Sequence, residues 1–275
     1  MNDPTSGWED CATAWGERSA SFERSVQAVT LELVERSALF AGETVIELAC
    51  GPGGMLPLLA DSVAPGGRVL ATDIAPAMVA LARERVEAER VAGVDVSVGD
   101  IDWLDLESGC AGAIIARFGH MFATDPEAAL KEARRVLRPG GRLATAVWDA
   151  PERNPYGSIP LEALAAIGLG DRPTAGEAGM FRLSVEGEVG ELLLSAGFSD
   201  VEVTPVPVNF RFGSIGELVD WTLDLSQRIR RGFREGAVGS LEEFQSELER
   251  RVDRFTGRDG SVDLPGTALV ASGRA

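Results

Sequence analysis

Thr44-Val-Ile-Glu47-Leu-Ala49-Cys50-Gly51-Pro52-Gly53-Gly54 is the stretch that decides the fold. Thr44 to Ala49 is a short β-branched and apolar run that reads as a strand, and the glycines after it mark a tight turn into a helix over Met55 to Val63. The pattern repeats outward. Arg68 to Asp73 is a second strand, followed by a helix from Pro76 to about Arg90; Val94 to Val98 is a third strand and Ala111 to Arg117 a fourth. A helix runs from Pro126 to Leu137, with proline in its first turn where a missing N–H costs nothing. Arg138-Pro139-Gly140-Gly141 ends it, and Arg142 to Trp148 is a fifth strand. Such strand–helix alternation implies a parallel sheet with helices on both faces.

Ahead of this unit, Cys11 to Phe40 is helical, with Val26, Val29, Leu33 and Val34 near helical spacing. Behind it, Asp149 to Gly179 is rich in Pro and Gly and holds one short helix around Ile159 to Ile167. Val185 to Ala196 is a helix stopped by Gly197, and Val201 to Thr204 and Val206 to Phe212 alternate like a strand. Ser214 to Phe255 is mostly helical, and Leu264 to Ser272 closes the chain as a strand. The later half adds only two strands, so it extends the first sheet rather than forming a separate domain.

Composition narrows the function. A chain of 275 residues, 45% hydrophobic and 25% charged, buries a sizeable core without staples. Cys11, Cys50 and Cys110 are widely spaced, and His120 is the single histidine, so a zinc site of the usual Cys/His kind cannot be assembled. Sparse, odd cysteines fit a reducing compartment. Met1-Asn2-Asp3-Pro4 opens no signal peptide, and no apolar run reaches the roughly 20 residues of a membrane span, so the expectation is a cytoplasmic protein. A net charge of −17 argues against nucleic acid, whose binding depends on Lys and Arg. Arg228, Arg230, Arg231 and Arg234 form a basic strip that reads as a solvated helix face. Lys131 is the only lysine, a bias toward arginine that suggests a GC-rich bacterial genome.

In an open parallel sheet, ligands bind outside the carboxyl ends of the strands, beside the point where strand order reverses. Gly51 and Gly53 lack a Cβ and let the backbone approach a ligand closely. A glycine loop alone is weak evidence, since a tight turn needs the same residues. Two acids at strand ends add to it. Asp73 can accept both hydroxyl hydrogens of a ribose; Asp100, in Val98-Gly99-Asp100-Ile101, can accept from an adenine amino group while Ile101 offers its N–H. A dinucleotide site would share Asp73 but expects G-x-G-x-x-G/A, and Leu56 stands at the last glycine position. Repeated negative charge, with Glu47 ahead of the loop, suits a cationic sulfonium better than a pyrophosphate.

On these residues the sequence resembles the class I S-adenosylmethionine-dependent methyltransferases, a group that includes the ubiquinone and menaquinone C-methyltransferases. Glu47 to Gly53 is similar to their first motif, with Ala49 in place of its first glycine; Asp73-Ile74-Ala-Pro-Ala-Met78 resembles the second and Gly99-Asp100-Ile101 the third. Arg117-Phe118-Gly-His120-Met-Phe122, Asp125-Pro126 and Val136 to Arg142 resemble the fourth-strand segment and the helix after it. The resemblance implies an α/β, Rossmann-like fold: a seven-stranded, mostly parallel sheet with helices on both faces, an N-terminal helical cap and a helical insertion before the last strand. It implies a single domain over 1–275, with the cap at 1–40, the cofactor core at 41–150 and acceptor-side elements at 151–275, the insertion spanning 214–255. The cofactor set it implies is Glu47, Ala49, Cys50, Gly51, Gly53, Asp73, Ile74, Met78, Asp100, Ile101, Arg117 and Phe118. The reaction implied is methyl transfer from S-adenosylmethionine to O, N or C of a small acceptor such as a quinone-like compound or secondary metabolite, by a monomer or homodimer without nucleic-acid, membrane or metal partners.

His120 follows the fourth strand, and its unperturbed pKa suits proton abstraction; it reads either as the general base or as a wall of the acceptor pocket. Trp15, Trp148, Phe181 and Phe212 are the other acceptor-site candidates, and Trp8 sits with Trp15 on the capping segment. Trp221, amid Leu218, Leu223 and Leu225, reads as core, and Cys50 as a packed small residue rather than a nucleophile. Two other functions stay open: a protein that binds S-adenosylmethionine without methylating, as a regulator or a cyclase, and an NAD(P)-dependent oxidoreductase, which Leu56 and the acids disfavour.

Overall fold

The computed structural model describes residues 5–235 and 240–275. The leader expectation on Met1 to Pro4, and positions 236–239 of the expected insertion, lie outside the described residues.

The nucleotide-side half follows the sequence closely. β1 (Thr44–Leu48), α3 (Leu56–Val63), β2 (Arg68–Asp73), α4 (Pro76–Ala88), β3 (Val94–Val98) and β4 (Ala111–Arg117) come in the expected order. β1 and β4 are buried nearly throughout, as strands covered on both faces must be. α5 (Pro126–Val136) opens on Asp125, whose side chain accepts from the N–H groups of Glu127 and Ala128, both at 3.1 Å, with Pro126 next. β5 is assigned from Leu137 to Trp148, five residues before the expected start. The turn residues survive as a register break: Leu137 faces Ala111, and the next pair is Arg142 with Ala113. Arg138 to Gly141 bulge out between them.

α1 (Ser6–Glu9) and α2 (Ala12–Ser37) precede the sheet. α2 buries Val26, Val29 and Leu33 completely and packs across β4, β5, β6 and β7. The stretch expected as a cap is therefore a layer of the core for most of its length, because its apolar stripe faces the sheet. α6 (Pro155–Ala166), α7 (Glu188–Ser195), β6 (Ser199–Phe212), α8 (Ile215–Leu225), α9 (Gln227–Glu235), α10 (Ser240–Val252) and β7 (Val262–Arg274) complete the chain. β6 runs through Pro205 as the one strand expected there. It lies at the sheet edge, where proline's missing N–H need not break a ladder.

Among the described residues, seven strands form one sheet in the order β3-β2-β1-β4-β5-β7-β6. The first five are parallel and β7 runs antiparallel to both its neighbours. Strand order reverses between β1 and β4, which places a crevice at their carboxyl ends. No helix among the described residues is long and apolar enough to cross a membrane.

Candidate active site

A cavity of about 880 Å³ opens at that crevice. Its floor is the turn after β1, where Ala49, Gly51 and Gly53 have φ of 53°, 54° and 77°. Left-handed backbone suits glycine but strains alanine, so Ala49 holds its place at a small cost. Its methyl group presses on Gly119, where a Cβ would stand only 2.8 Å away. Phe118 at the end of β4 is strained likewise, at φ 61°. Both strained residues line the cavity. Gly53 does not. A Cβ there would meet Leu56 at 2.8 Å and the backbone of Ala82 at 3.1 Å, so Gly53 lets α3 and α4 close on the loop.

The expected acids converge on one side. Asp73, 7% exposed, accepts from Gly51 N–H (2.8 Å) and Ala75 N–H (3.0 Å). Burial pushes its carboxyl above the usual range while these N–H groups hold it down. Asp100 is exposed and accepts from the N–H of Asp102 at 2.9 Å. Ile74, Met78 and Ile101 line the cavity beside them. Glu47 is buried at the end of β1 with Oε2 unpartnered, and burial raises it to about 8 against the pull of Arg117. Cys50 also lines the cavity; burial pushes its thiol well up, which leaves it protonated and no nucleophile.

Arg117 forks onto Glu23 of α2, at 2.5 and 2.7 Å, and reaches Thr30 at 2.6 Å. Glu23 lies over the glycine turn, where a side chain at Gly54 would collide with its carboxylate. Sequence reading missed Glu23, since one acid on an amphipathic helix carries no local signal.

The other side of the cavity is aromatic. Phe118 stacks on Trp148, 4.2 Å between centroids and 5° from parallel, and Trp148 meets Tyr156 at 5.7 Å. Trp15, Phe22 and Phe181 complete these walls. Trp221, expected in the core, also lines the cavity, and its Nε1 donates to the Tyr156 hydroxyl at 3.2 Å. Phe212 does not line it. That ring packs edge-on against Trp221, 5.6 Å between centroids, on the side away from the crevice. Arg228, Arg231 and Arg234 of α9 are at the rim rather than on a purely solvated face. Arg228 donates to the Asp171 carbonyl, and Arg234 pairs with Asp10 beside α1 at 2.8 Å. Trp8 meets Phe122 edge-on at 5.0 Å and Glu9 accepts from the N–H of Ala77, which ties α1 over the opening.

His120 is absent from the cavity wall, contrary to both roles read from the sequence. It is 1% exposed, its Nδ1 bonds Thr145 Oγ1 at 2.9 Å, and its Nε2 has no partner. Burial lowers it to about 4, so the ring is neutral near pH 7. The unfolded chain takes up its proton below about pH 6.5, so His120 costs stability as pH falls from there toward 4. His120→Gln is expected to keep turnover within about twofold and to flatten the fall of Tm across that window, read by calorimetry at several pH values. A loss of 10² or more in turnover with unchanged Tm would restore the base role.

Comparison with known proteins agrees with this fold. A methyltransferase-domain family model matches residues 45–141. A ubiquinone/menaquinone biosynthesis C-methyltransferase of Chromobacterium violaceum is 30% identical over 178 residues, 60% of this chain and 71% of that one. The chain belongs to the class I S-adenosylmethionine-dependent methyltransferases. An uncharacterised 37.1 kDa protein in a transposon of Streptomyces fradiae is 35% identical over 191 residues, covering 68% of this chain and 52% of its own. The chain thus spans about half the length of several curated relatives it matches. Among solved structures, the phosphoethanolamine N-methyltransferase 2 of Haemonchus contortus with S-adenosyl-L-methionine has a TM-score of 0.62 at 16% identity, over 99% of this chain and 60% of that one. At that identity the likeness shows the fold alone.

Proposed function

We propose that this chain binds S-adenosylmethionine on the acidic side of the cavity and methylates a small, largely apolar acceptor on the aromatic side. The observation that carries this reading is the meeting of Glu47, Asp73 and Asp100, at or just past the ends of three successive sheet strands, in one cavity with Phe118, Trp148 and Phe181. The residues fit the cofactor. Gly51 leaves open space where a side chain would stand, Asp73 keeps free lone pairs for hydroxyl groups, and the orphaned Glu47 carboxyl has room for a donor. Phosphate would find acids where it needs donors.

When bound, the cofactor supplies a methyl group on a positively charged sulfur. The chain's own residues then do four things. Asp73, Asp100 and Ile101 hold the nucleoside; Glu47, which burial alone keeps largely protonated, gives up its proton beside the positive sulfur and with Glu23 sets a negative field there; the aromatic walls orient the acceptor and exclude water; α1 and α9 close the mouth. Residues 41–150 thus hold the cofactor and lend Phe118 and Trp148 to the acceptor side, which 151–275 and the start of α2 complete. Neither His120 nor Cys50 is placed to take the acceptor's proton, so acceleration rests on proximity, a dry site and the acceptor's own acidity.

Calorimetric titration with S-adenosylhomocysteine tests the reading, with NADH as competitor. Binding without competition is expected, because the buried Leu56 fills the space a dinucleotide fold keeps for its third glycine. Comparable binding by NADH, or none by S-adenosylhomocysteine, would overturn it.

A further inference from the structure

Tyr156 is the chain's single tyrosine, and no local pattern singles it out. α6 carries it into the cavity wall, where its ring stacks on Phe210 with centroids 3.5 Å apart and planes 8° from parallel. Trp148 leans on it at 46°. Two large neighbours therefore leave the ring one orientation. The hydroxyl accepts from Trp221 Nε1, so one of its acceptor sites is used. Its hydrogen is not: among the described residues none accepts from it, and Trp148, Phe181, Leu161, Met180 and Trp221 line the same cavity. Burial pushes the phenol up to about 12, so the group stays a neutral donor near pH 7. Here is a donor on a fixed ring, in the wall of the space assigned to the acceptor.

We propose that Tyr156 holds the acceptor by donating its phenolic hydrogen to an oxygen on an otherwise apolar ring system, and so selects oxygenated acceptors over hydrocarbons of the same shape. This rests on reading the aromatic side of the cavity as the acceptor site. A locked donor among apolar walls discriminates because an analogue without the oxygen leaves it unpaired. Trp221 sharpens the effect, since a hydroxyl that accepts one hydrogen bond donates a stronger one.

The probes are 1-tetralone and tetralin, two bicyclic rings that differ in one carbonyl oxygen. Their dissociation constants are compared in the parent protein and in Tyr156→Phe, with and without S-adenosylhomocysteine. The parent is expected to favour the ketone about tenfold more than the variant does, a difference of about 1.4 kcal/mol. Tetralin itself should bind both proteins alike. An unchanged ketone preference in Tyr156→Phe overturns the proposal. A second measurement needs no variant: 3-fluorotyrosine incorporation gives one fluorine resonance. Tetralone should move it and tetralin should move it much less; equal shifts also overturn the proposal. Failure of S-adenosylhomocysteine to bind would sink the cofactor reading but leave the two-probe comparison intact.

Discussion

Replacing Arg117 by alanine is expected to cost about 3 kcal/mol of stability, the low end of the penalty for removing one partner of a buried ion pair, because this pair is part-buried. For a chain of this size that is a fall in Tm of roughly 6–12 °C. Arg117's side chain is 9% exposed and Glu23's 24%, so water screens the pair weakly. The variant would strand Glu23 over the glycine turn, leave Thr30 Oγ1 only its bond to the Val26 carbonyl, and deprive buried Glu47 of the one cation that lowers its pKa. Arg117→Lys should fall between, since lysine keeps the charge but cannot form the fork. Paired replacement, Arg117→Met with Glu23→Leu, should cost less than Arg117→Ala, because no charge is left unpaired.

The deficit also depends on pH, and its sign follows from Glu47. Its folded pKa of about 8 lies above the ordinary 4.5, so the folded chain holds a proton that the unfolded chain releases. Stability from this group is intact below about 4.5 and is lost as pH rises toward 8. Without Arg117 the folded value moves higher and the loss continues further up. Thermal unfolding at pH 5, 7 and 9 would read this as a widening gap between parent and Arg117→Ala. A gap under about 2 °C at every pH would mean the pair contributes nothing to stability.

The cofactor side was legible because its residues sit at fixed offsets from strand ends. Asp73 closes β2 and Asp100 follows β3 by two residues, so topology alone carries both to the crevice. The acceptor side is made differently. Tyr156 and Trp221, and Glu23 of the cofactor side with them, come from α6, α8 and α2, and which of their faces meets the cavity depends on how each helix packs. No local pattern records that packing. Trp221 shows the difficulty: amid leucines it reads as core, and it is 4% exposed, yet its edge still reaches the cavity.

His120 and Phe212 failed for another reason. A residue just past a strand end turns either toward the crevice or back into the fold. His120 turned back into the fold, where its Nδ1 and the Thr145 hydroxyl of β5 share a hydrogen bond. Phe212 shares a face of β6 with Phe210 but lies a step further along, where Trp221 stands between it and the cavity. The arginines of α9 read as solvated because acidic residues follow them closely in the sequence; the same helix nonetheless rims the opening, with Ile229 its one buried residue.

Asp73→Ala is expected to weaken S-adenosylhomocysteine binding by about 1.5–3 kcal/mol, roughly tenfold to 150-fold in Kd. The carboxylate already accepts from Gly51 and Ala75, one bond to each oxygen. An ionised carboxylate offers about four lone-pair sites, which leaves about two for a pair of ribose hydroxyls. Those would be charge-assisted bonds in a poorly hydrated place, the kind that loses most on deletion. The substitution has a second effect. Two buried N–H groups lose their acceptor, at about 1–3 kcal/mol each, and the Gly51 turn is one of them. Affinity must therefore be measured below both unfolding transitions, with circular dichroism to show that the variant is folded. Asp73→Asn separates the two effects. Its single amide oxygen can keep one N–H bond, while its NH₂ replaces acceptor sites with donors. Stability should recover in part, whereas affinity should stay well below the parent's. A folded Asp73→Ala protein that binds S-adenosylhomocysteine within twofold of the parent would remove Asp73 from the cofactor site. The carboxylate would then be only a brace for the turn after β1, and the nucleoside would have to be held from Asp100 and Ile101 alone.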